Sequence, residues 1–296
     1  MNKIFVAVFW LSLFLCSICS AYAPTGRVYV TMLDVGQGEA FLVETASQNI
    51  LIDTGSVDSR QSLLNQLSAA GITRFEKIIL THPHEDHIGG VRAVLDNYDV
   101  DEIIDNGYAS TSPLYKDYRK ANVTFTTATA GDVINLGIAT FKVFAPSDSL
   151  TTYKINDRSI VGKLIYGDFS IMFAGDAEKR LETWLSNTYA TQLQSTILKA
   201  SHHGSKTSSV EDFVFRVSPT YVLISAGKDN AYGHPHKRPL RTYRECYVLP
   251  ENIFCTAFNG SVRIETDGKN YLIIPTTALD WVEDYTGEVI NVVRII

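Results

Sequence analysis

The chain has 296 residues, 45% of them hydrophobic and 20% charged, with a formal net charge of −6. That is ordinary globular composition, and it excludes a disordered, collagen-like or repeat-built chain. The acidic balance also excludes a general nucleic-acid coat, which needs an overall basic surface.

In chain order, Met1-Asn2-Lys3 is a short positive start, residues 4 to 19 are almost wholly apolar, and Ala21-Tyr22-Ala23 is a small-x-small site before Pro24. This predicts a secretory signal peptide over residues 1–23, and hence an exported protein, periplasmic or secreted. The apolar run falls short of the about 20 residues that span a bilayer. Neither Cys16 nor Cys19 follows the small residue of a bacterial lipidation site, and no other segment is apolar enough for a transmembrane channel. Cleavage leaves Cys246 and Cys255, an even pair for which a disulfide is expected in an exported chain.

Strands are predicted over 28–35, 40–44 and 49–52 from short β-rich runs. Residues 58–70 carry leucines at helical spacing, with Gly71 as C-cap. A buried strand over 76–80 leads into a loop and a helix over 88–97. Strands over 101–104, 123–127, 133–135 and 139–144 close the first half. The second half opens with a hairpin over 159–166 and 169–174 around Gly167-Asp168. Helices follow over 177–187, 210–217 and 238–247. Strands are expected over 196–199, 221–225, 253–256, 261–265 and 271–274. This order fits two packed sheets with helices outside.

The loop after the strand Lys77-Ile78-Ile79-Leu80 reads Thr81-His82-Pro83-His84-Glu85-Asp86-His87-Ile88-Gly89-Gly90. It places three of the chain's seven histidines and an aspartate within six positions. Neutral imidazoles and a carboxylate are the donors of a borderline divalent cation such as zinc. His82 and His84 can reach one ion from an extended turn, and Asp86 and His87 a second. Gly89-Gly90 lets the backbone pass where a side chain would clash. The other four histidines, at 202, 203, 234 and 236, lie in the second half, so two halves of a fold are expected to supply one site. Lys199, Lys206, Arg216, Lys228, Lys237, Arg238, Arg241 and Arg244 make this stretch basic, which suits either steering of an anionic substrate or ordinary solvated faces.

The His-x-His-x-Asp-His pattern resembles the signature of the metallo-β-lactamase superfamily. Leu51-Ile52-Asp53-Thr54-Gly55 and Phe173-Ala174-Gly175-Asp176 resemble its other aspartate motifs. Leu33-Asp34-Val35-Gly36-Gln37-Gly38-Glu39-Ala40, Ser201-His202-His203-Gly204-Ser205 and Tyr232-Gly233-His234-Pro235-His236 are similar to the branch typified by the hydrolase domain of ComEC-type DNA-uptake proteins. Glu39 stands where that branch usually has aspartate. The resemblance covers about residues 27 to 275 and implies an α+β, four-layer αββα sandwich, with one domain over 24–278. Residues 279–296 lie beyond the pattern, as an extension of unassigned role.

What the resemblance implies for the site is two divalent ions, zinc or alternatively manganese. His82 and His84 are expected on the first, Asp86 and His87 on the second, and Asp176 between them. Many members of the superfamily have a histidine between the first cluster and the bridging aspartate; none lies from 88 to 175 here, and His202 or His203 could fill that vacancy on the first ion. The reading taken is His203 as ligand, with His202, like Asp86, in a catalytic role as substrate contact or proton donor. His234 is assigned to the second ion, and His236 to the periphery or surface. Asp34 and Gln37 are expected to shape the site, and Asp53 to orient a ligating histidine. Asn156, Ser159, Ser205 and Lys206 are expected to meet substrate.

The expected activity is metal-dependent phosphodiester hydrolysis by an activated water, with an anionic substrate, DNA or RNA. The alternatives are a small phosphoester, a cell-envelope ester or a β-lactam as substrate, or a non-catalytic metal-containing binding module. The sequence does not give the oligomeric state.

Overall fold

A computed structural model describes residues 26–150, 154–277 and 281. The predicted signal peptide and nearly all of 279–296 lie outside the described residues. The strands in chain order are β1 (Val28–Met32), β2 (Phe41–Glu44), β3 (Asn49–Ile52), β4 (Arg74–Phe75), β5 (Lys77–Leu80), β6 (Asp99–Val100), β7 (Glu102–Asp105), β8 (Thr124–Thr127), β9 (Val133–Leu136), β10 (Ala139–Ala145), β11 (Val161–Tyr166), β12 (Phe169–Phe173), β13 (Ile197–Lys199), β14 (Tyr221–Ile224), β15 (Ile253–Cys255), β16 (Val262–Thr266) and β17 (Tyr271–Pro275). The α-helices are α1 (Arg60–Ala69), α2 (Glu85–Ile88), α3 (Val91–Asn97), α4 (Pro113–Tyr118), α5 (Lys179–Tyr189), α6 (Glu211–Val217), α7 (Lys237–Glu245) and α8 (Thr256–Asn259).

Two large sheets hold most of these strands. One has the order β17-β16-β1-β2-β3-β5-β7-β8, the other β15-β14-β13-β12-β11-β10-β9, while β4 and β6 pair separately. Each large sheet is antiparallel on one side and parallel on the other. The parallel pairs are β3/β5, β5/β7 and β7/β8 in the first, and β12/β13, β13/β14 and β14/β15 in the second.

Strand sequence explains the layering. In β1 burial alternates, with Val28, Val30 and Met32 fully buried. They join Phe41, Ile50 and Ile79 of the same sheet and Phe141, Ile171 and Phe173 of the other in one apolar layer. The inner parallel strands, such as β5 and β13, are apolar on both faces because helices cover their backs. Ile79 points into the inter-sheet layer, while its neighbour Ile78 packs with Leu63 and Leu67 of α1 and Val91 and Val94 of α3. Ile197 and Leu198 divide in the same way, Leu198 meeting Leu181, Leu185, Phe213 and Tyr243 of α5, α6 and α7. The result is the expected αββα sandwich.

The helix expected over 88–97 is split into α2 and α3 at Gly89-Gly90. Gly71, with φ +74°, ends α1 as expected. The expected disulfide is absent: Cys246 and Cys255 are buried free thiols. Both belong to one apolar cluster, Cys246 following α7 with its sulfur 3.7 Å from the Glu211 carbonyl of α6 and Cys255 ending β15.

Candidate metal centre

The histidines and aspartates converge because each follows the carboxyl end of a parallel strand. β3 delivers Asp53, β5 the loop from Thr81 to His87, β12 Asp176, β13 His202 and His203, and β14 the loop that carries His234. Such ends are where α/β sheets place their sites. The β5 loop is seated by close backbone contact. A Cβ on Gly89 would lie 2.3 Å from the Val57 nitrogen, and one on Gly90 2.3 Å from the Thr54 oxygen. Any side chain there would displace the loop.

Asp176, almost fully buried, stands at the centre. Its Oδ2 lies 3.7 Å from His82 Nε2 and 3.7 Å from His202 Nε2. Its Oδ1 lies 3.2 Å from His87 Nε2 and 3.6 Å from His203 Nε2. His84 Nδ1 is 2.9 Å from His82 Nε2, and Asp86 Oδ2 is 3.3 Å from His203 Nε2. One carboxylate thus faces two nitrogen sets. Donor atoms around a tetrahedral zinc ion, each about 2.0–2.2 Å from it, are about 3.3 Å apart, close to the spacing within the Oδ1 set. His87 Nε2, Asp176 Oδ1 and His203 Nε2 are also buried without a hydrogen-bond partner. Native structures seldom leave such atoms unsatisfied, so the residues present fit a bound cation.

The outer ring nitrogens are already engaged, which aims the inner ones at the centre. His87 Nδ1 bonds Asp53 Oδ2 at 2.7 Å. Asp53 also accepts from the Thr81 amide and hydroxyl at 2.7 and 2.6 Å. His203 Nδ1 donates to the Ser225 carbonyl at 2.7 Å. His202 Nδ1 lies 3.2 Å from Thr207 Oγ1, which donates to Glu178. Adjacent residues reach opposite carboxylate oxygens because His202 and His203 both adopt left-handed backbone, φ 49° and 54°.

The electrostatics call for positive charge at this point. Burial works against a proton on His87, yet the carboxylates of Asp176, Asp53 and Asp86 outweigh it and hold His87 well above the usual imidazole range. Burial dominates at His82 and lowers it well below that range. His234 is pushed down to about 4 by burial and by the neighbouring His203 and His202.

The structure gathers His82, His84, Asp86, His87, Asp176, His202, His203 and His234 at one centre. It corrects one expectation: His203 lies on the Asp86–His87 side, and His202 takes the position beside His82. Asp53 is hydrogen-bonded to His87. Asp34 and Gln37 line the cleft wall without touching the ligating nitrogens, and Asn156 lines the same cleft. Ser159 is corrected too. It is fully buried, and its hydroxyl accepts the Asp176 amide at 3.1 Å, so it sets the carboxylate and does not face the cleft. Ser205 is buried in a turn with Thr207, while Lys206 is exposed and its amide donates to His236 Nδ1 at 3.1 Å. The metal donors open on a cleft of about 920 Å³.

Lys199 belongs to the basic stretch of the sequence, but it is fully buried. It forms an ion pair with Glu39 and donates to the Gly175 carbonyl at 2.9 Å. Only its position, two residues before the histidine pair on an apolar strand, hinted at this. Tyr232, on the cleft rim, carries no signal of its own in the sequence beyond its place beside Gly233-His234.

An αββα sandwich with convergent histidine and aspartate donors defines a metal-dependent hydrolase. Residues 33–228 match the model of the metallo-beta-lactamase superfamily, and the chain belongs to that family. It is 32% identical over 273 residues to ComE operon protein 3 of Bacillus subtilis, which covers 85% of this chain and 34% of that protein. It is 34% identical to competence protein ComA of Neisseria gonorrhoeae, over 72% of this chain and 29% of that one. Recombination protein 2 of Haemophilus influenzae is 32% identical over 81% of this chain and 29% of its own length. The chain therefore spans about a third of these relatives, and they bear out the resemblance to the ComEC-type branch. The metallo-beta-lactamase fold protein YhfI of Bacillus subtilis shares the fold, with a TM-score of 0.52 at 11% identity, covering 78% of this chain and 96% of its own.

Proposed function

We propose that this chain is a phosphodiesterase acting on nucleic acid. The observation that carries the reading is Asp176, whose two oxygens each face a separate nitrogen set at the floor of an open cleft. His82, His84 and His202 would hold one divalent ion, and Asp86, His87 and His203 the other, with Asp176 shared and His234 beside the second set. A metal pair lowers the pKa of water toward neutrality and neutralises charge on phosphoryl oxygens.

The chain's own residues do the positioning. Ser159 fixes the Asp176 backbone, Asp53 fixes His87, and the Thr207–Glu178 pair fixes the His202 ring. Asp86, held below the usual carboxylate range by His87 and His203 despite its burial, stays ionised and able to accept a proton bond from water in the cleft. His202, its side chain 21% exposed, borders the space that substrate would enter.

Nucleic acid is favoured as substrate because the relatives' names speak of competence and recombination, both of them DNA processes. Fold alone would not decide it. Export is part of the proposal and is supported by the apolar segment and small-x-small site at 1–23.

The test is hydrolysis of a chromogenic diester and of single- and double-stranded DNA by residues 24–296, with zinc or manganese. The His84→Ala, Asp86→Ala double variant is run beside it. Activity lost in the variant supports the reading. A folded, metal-loaded protein inert on every diester overturns it in favour of another ester or of a binding module.

A further inference from the structure

Three rings form a column from the metal centre to solvent. His203 and His234 lie nearly parallel, at 20° and 6.1 Å between centroids. His234 and Tyr232 continue the stack at 18° and 5.6 Å. The column ends there: Tyr232 is 66% exposed and lines the cleft with His203 and His234.

The loop that holds the tyrosine is stapled. Asn230 Oδ1 accepts the amides of Tyr232 and His234 at 3.1 and 3.0 Å. Asn230 Nδ2 donates to the carbonyls of Gly227 and His234 at 2.8 and 2.6 Å. Gly227, at the loop base, donates to Gln37 across the cleft. Both ends of the Asn230 side-chain amide thus fix the backbone on either side of Tyr232. A solvated aromatic ring held in advance on a rigid loop loses little freedom when a flat partner settles on it.

The cleft is polarised around this column. Asp34, Asp58 and Glu85 lie among the lining residues supplied by the first half of the chain. On the Tyr232 side, the His236 ring packs against His234 at 5.0 Å and accepts the Lys206 amide. Arg238 binds the Lys206 carbonyl at 2.5 Å. The carboxylates of Asp34, Asp58 and Glu85 therefore repel a phosphate chain from that wall.

We propose that Tyr232 is a base-stacking platform. The open face of its ring receives the nucleobase of a nucleotide beside the one whose phosphate reaches the metal centre. This rests on the nucleic-acid reading above and narrows it to single strands, because a base inside a duplex has both faces covered.

The test compares wild type, Tyr232→Ala and Tyr232→Phe for binding of a fluorescent oligothymidylate with a cleavage-resistant phosphorothioate backbone. An abasic strand of the same length and backbone serves as the second ligand, with fluorescence anisotropy as the readout. Wild type should prefer the base-bearing strand. In Tyr232→Ala that preference should fall about 5- to 150-fold, the range that corresponds to roughly 1–3 kcal/mol per stacked base. Tyr232→Phe should restore it. Equal preference in wild type and Tyr232→Ala overturns the platform and leaves the phosphodiesterase reading standing. A wild type that binds neither strand and cleaves no nucleic acid overturns both.

Discussion

Glu39 and Lys199 form an ion pair in which neither side chain is exposed, joining the turn before β2 to the end of β13. Burial raises the Glu39 carboxyl, and the Lys199 ammonium opposes that rise. Lys199 also donates to the Gly175 carbonyl, which accepts the His202 amide as well. The pair therefore braces the turn that presents Asp176 and the turn that presents His202.

Removing one partner leaves a buried charge alone, at a cost of about 3–5 kcal/mol, while replacing both by apolar groups is often close to neutral. Lys199→Met should thus be destabilised by about that amount in urea unfolding. Glu39→Leu combined with Lys199→Met should regain most of the loss. A double variant no more stable than the single one would show that the pair is not coupled.

Asp53 never needs to touch a cation to matter. Its bond to His87 Nδ1 fixes which ring nitrogen faces the centre. Asp53→Asn should lower affinity for one of two bound ions by about 10–100-fold. Competition with a chromophoric chelator should show two ions per chain in wild type, and in the variant one of them released at lower chelator concentration.

Glu182 of α5 is fully buried and accepts from Ser201 Oγ and from the amides of Ser209 and Val210. Burial pushes its carboxyl up to about 7 from the usual 4.5, in spite of those three bonds. The folded state therefore holds its proton more tightly than the unfolded state does. This contribution is fully present below about pH 4.5 and is lost as pH rises toward 7, a change of about 3 kcal/mol. The stability difference between wild type and Glu182→Gln, measured by urea unfolding between pH 4.5 and 7.5, should shift in that sense. A difference constant across the range would contradict it.

Burial raises the Cys246 thiol to about 11 and the Cys255 thiol to about 12. A thiolate is the reactive form, so neither should be alkylated in the native protein at pH 8. Both should label on unfolding without any reductant. Mass spectrometry of peptides from protein unfolded without reductant checks this, and a linked Cys246–Cys255 peptide would show the disulfide after all.

Much of the centre was legible because its residue types declare their chemistry. His82, His84, Asp86 and His87 follow an apolar strand whose end had to lie at a sheet edge. The layering was legible for a similar reason: Val28, Val30 and Met32 alternate, while Ile78 and Ile79 do not. What the sequence hid was backbone rotation and distant pairing. Nothing in Ser201-His202-His203-Gly204 states that two left-handed residues turn neighbouring rings to opposite oxygens of Asp176. Nor does a lysine in a basic stretch show that it lies inside, opposite a glutamate from the other sheet. The place of Ser159 before a strand suits a pocket residue and a turn residue alike. Its bond to the Asp176 amide needed the fold.

The pairing of β1 with β16 has a consequence in time. On a ribosome, β1 and β2 are made early, but the other edge of β1 stays open until residues 262–266 have emerged. Val30 and Met32 cannot be fully covered before then, and a bare edge flanked by apolar side chains invites pairing with another chain. Slowed or truncated synthesis before that hairpin should therefore yield aggregates, even when every candidate metal-binding residue has already been translated.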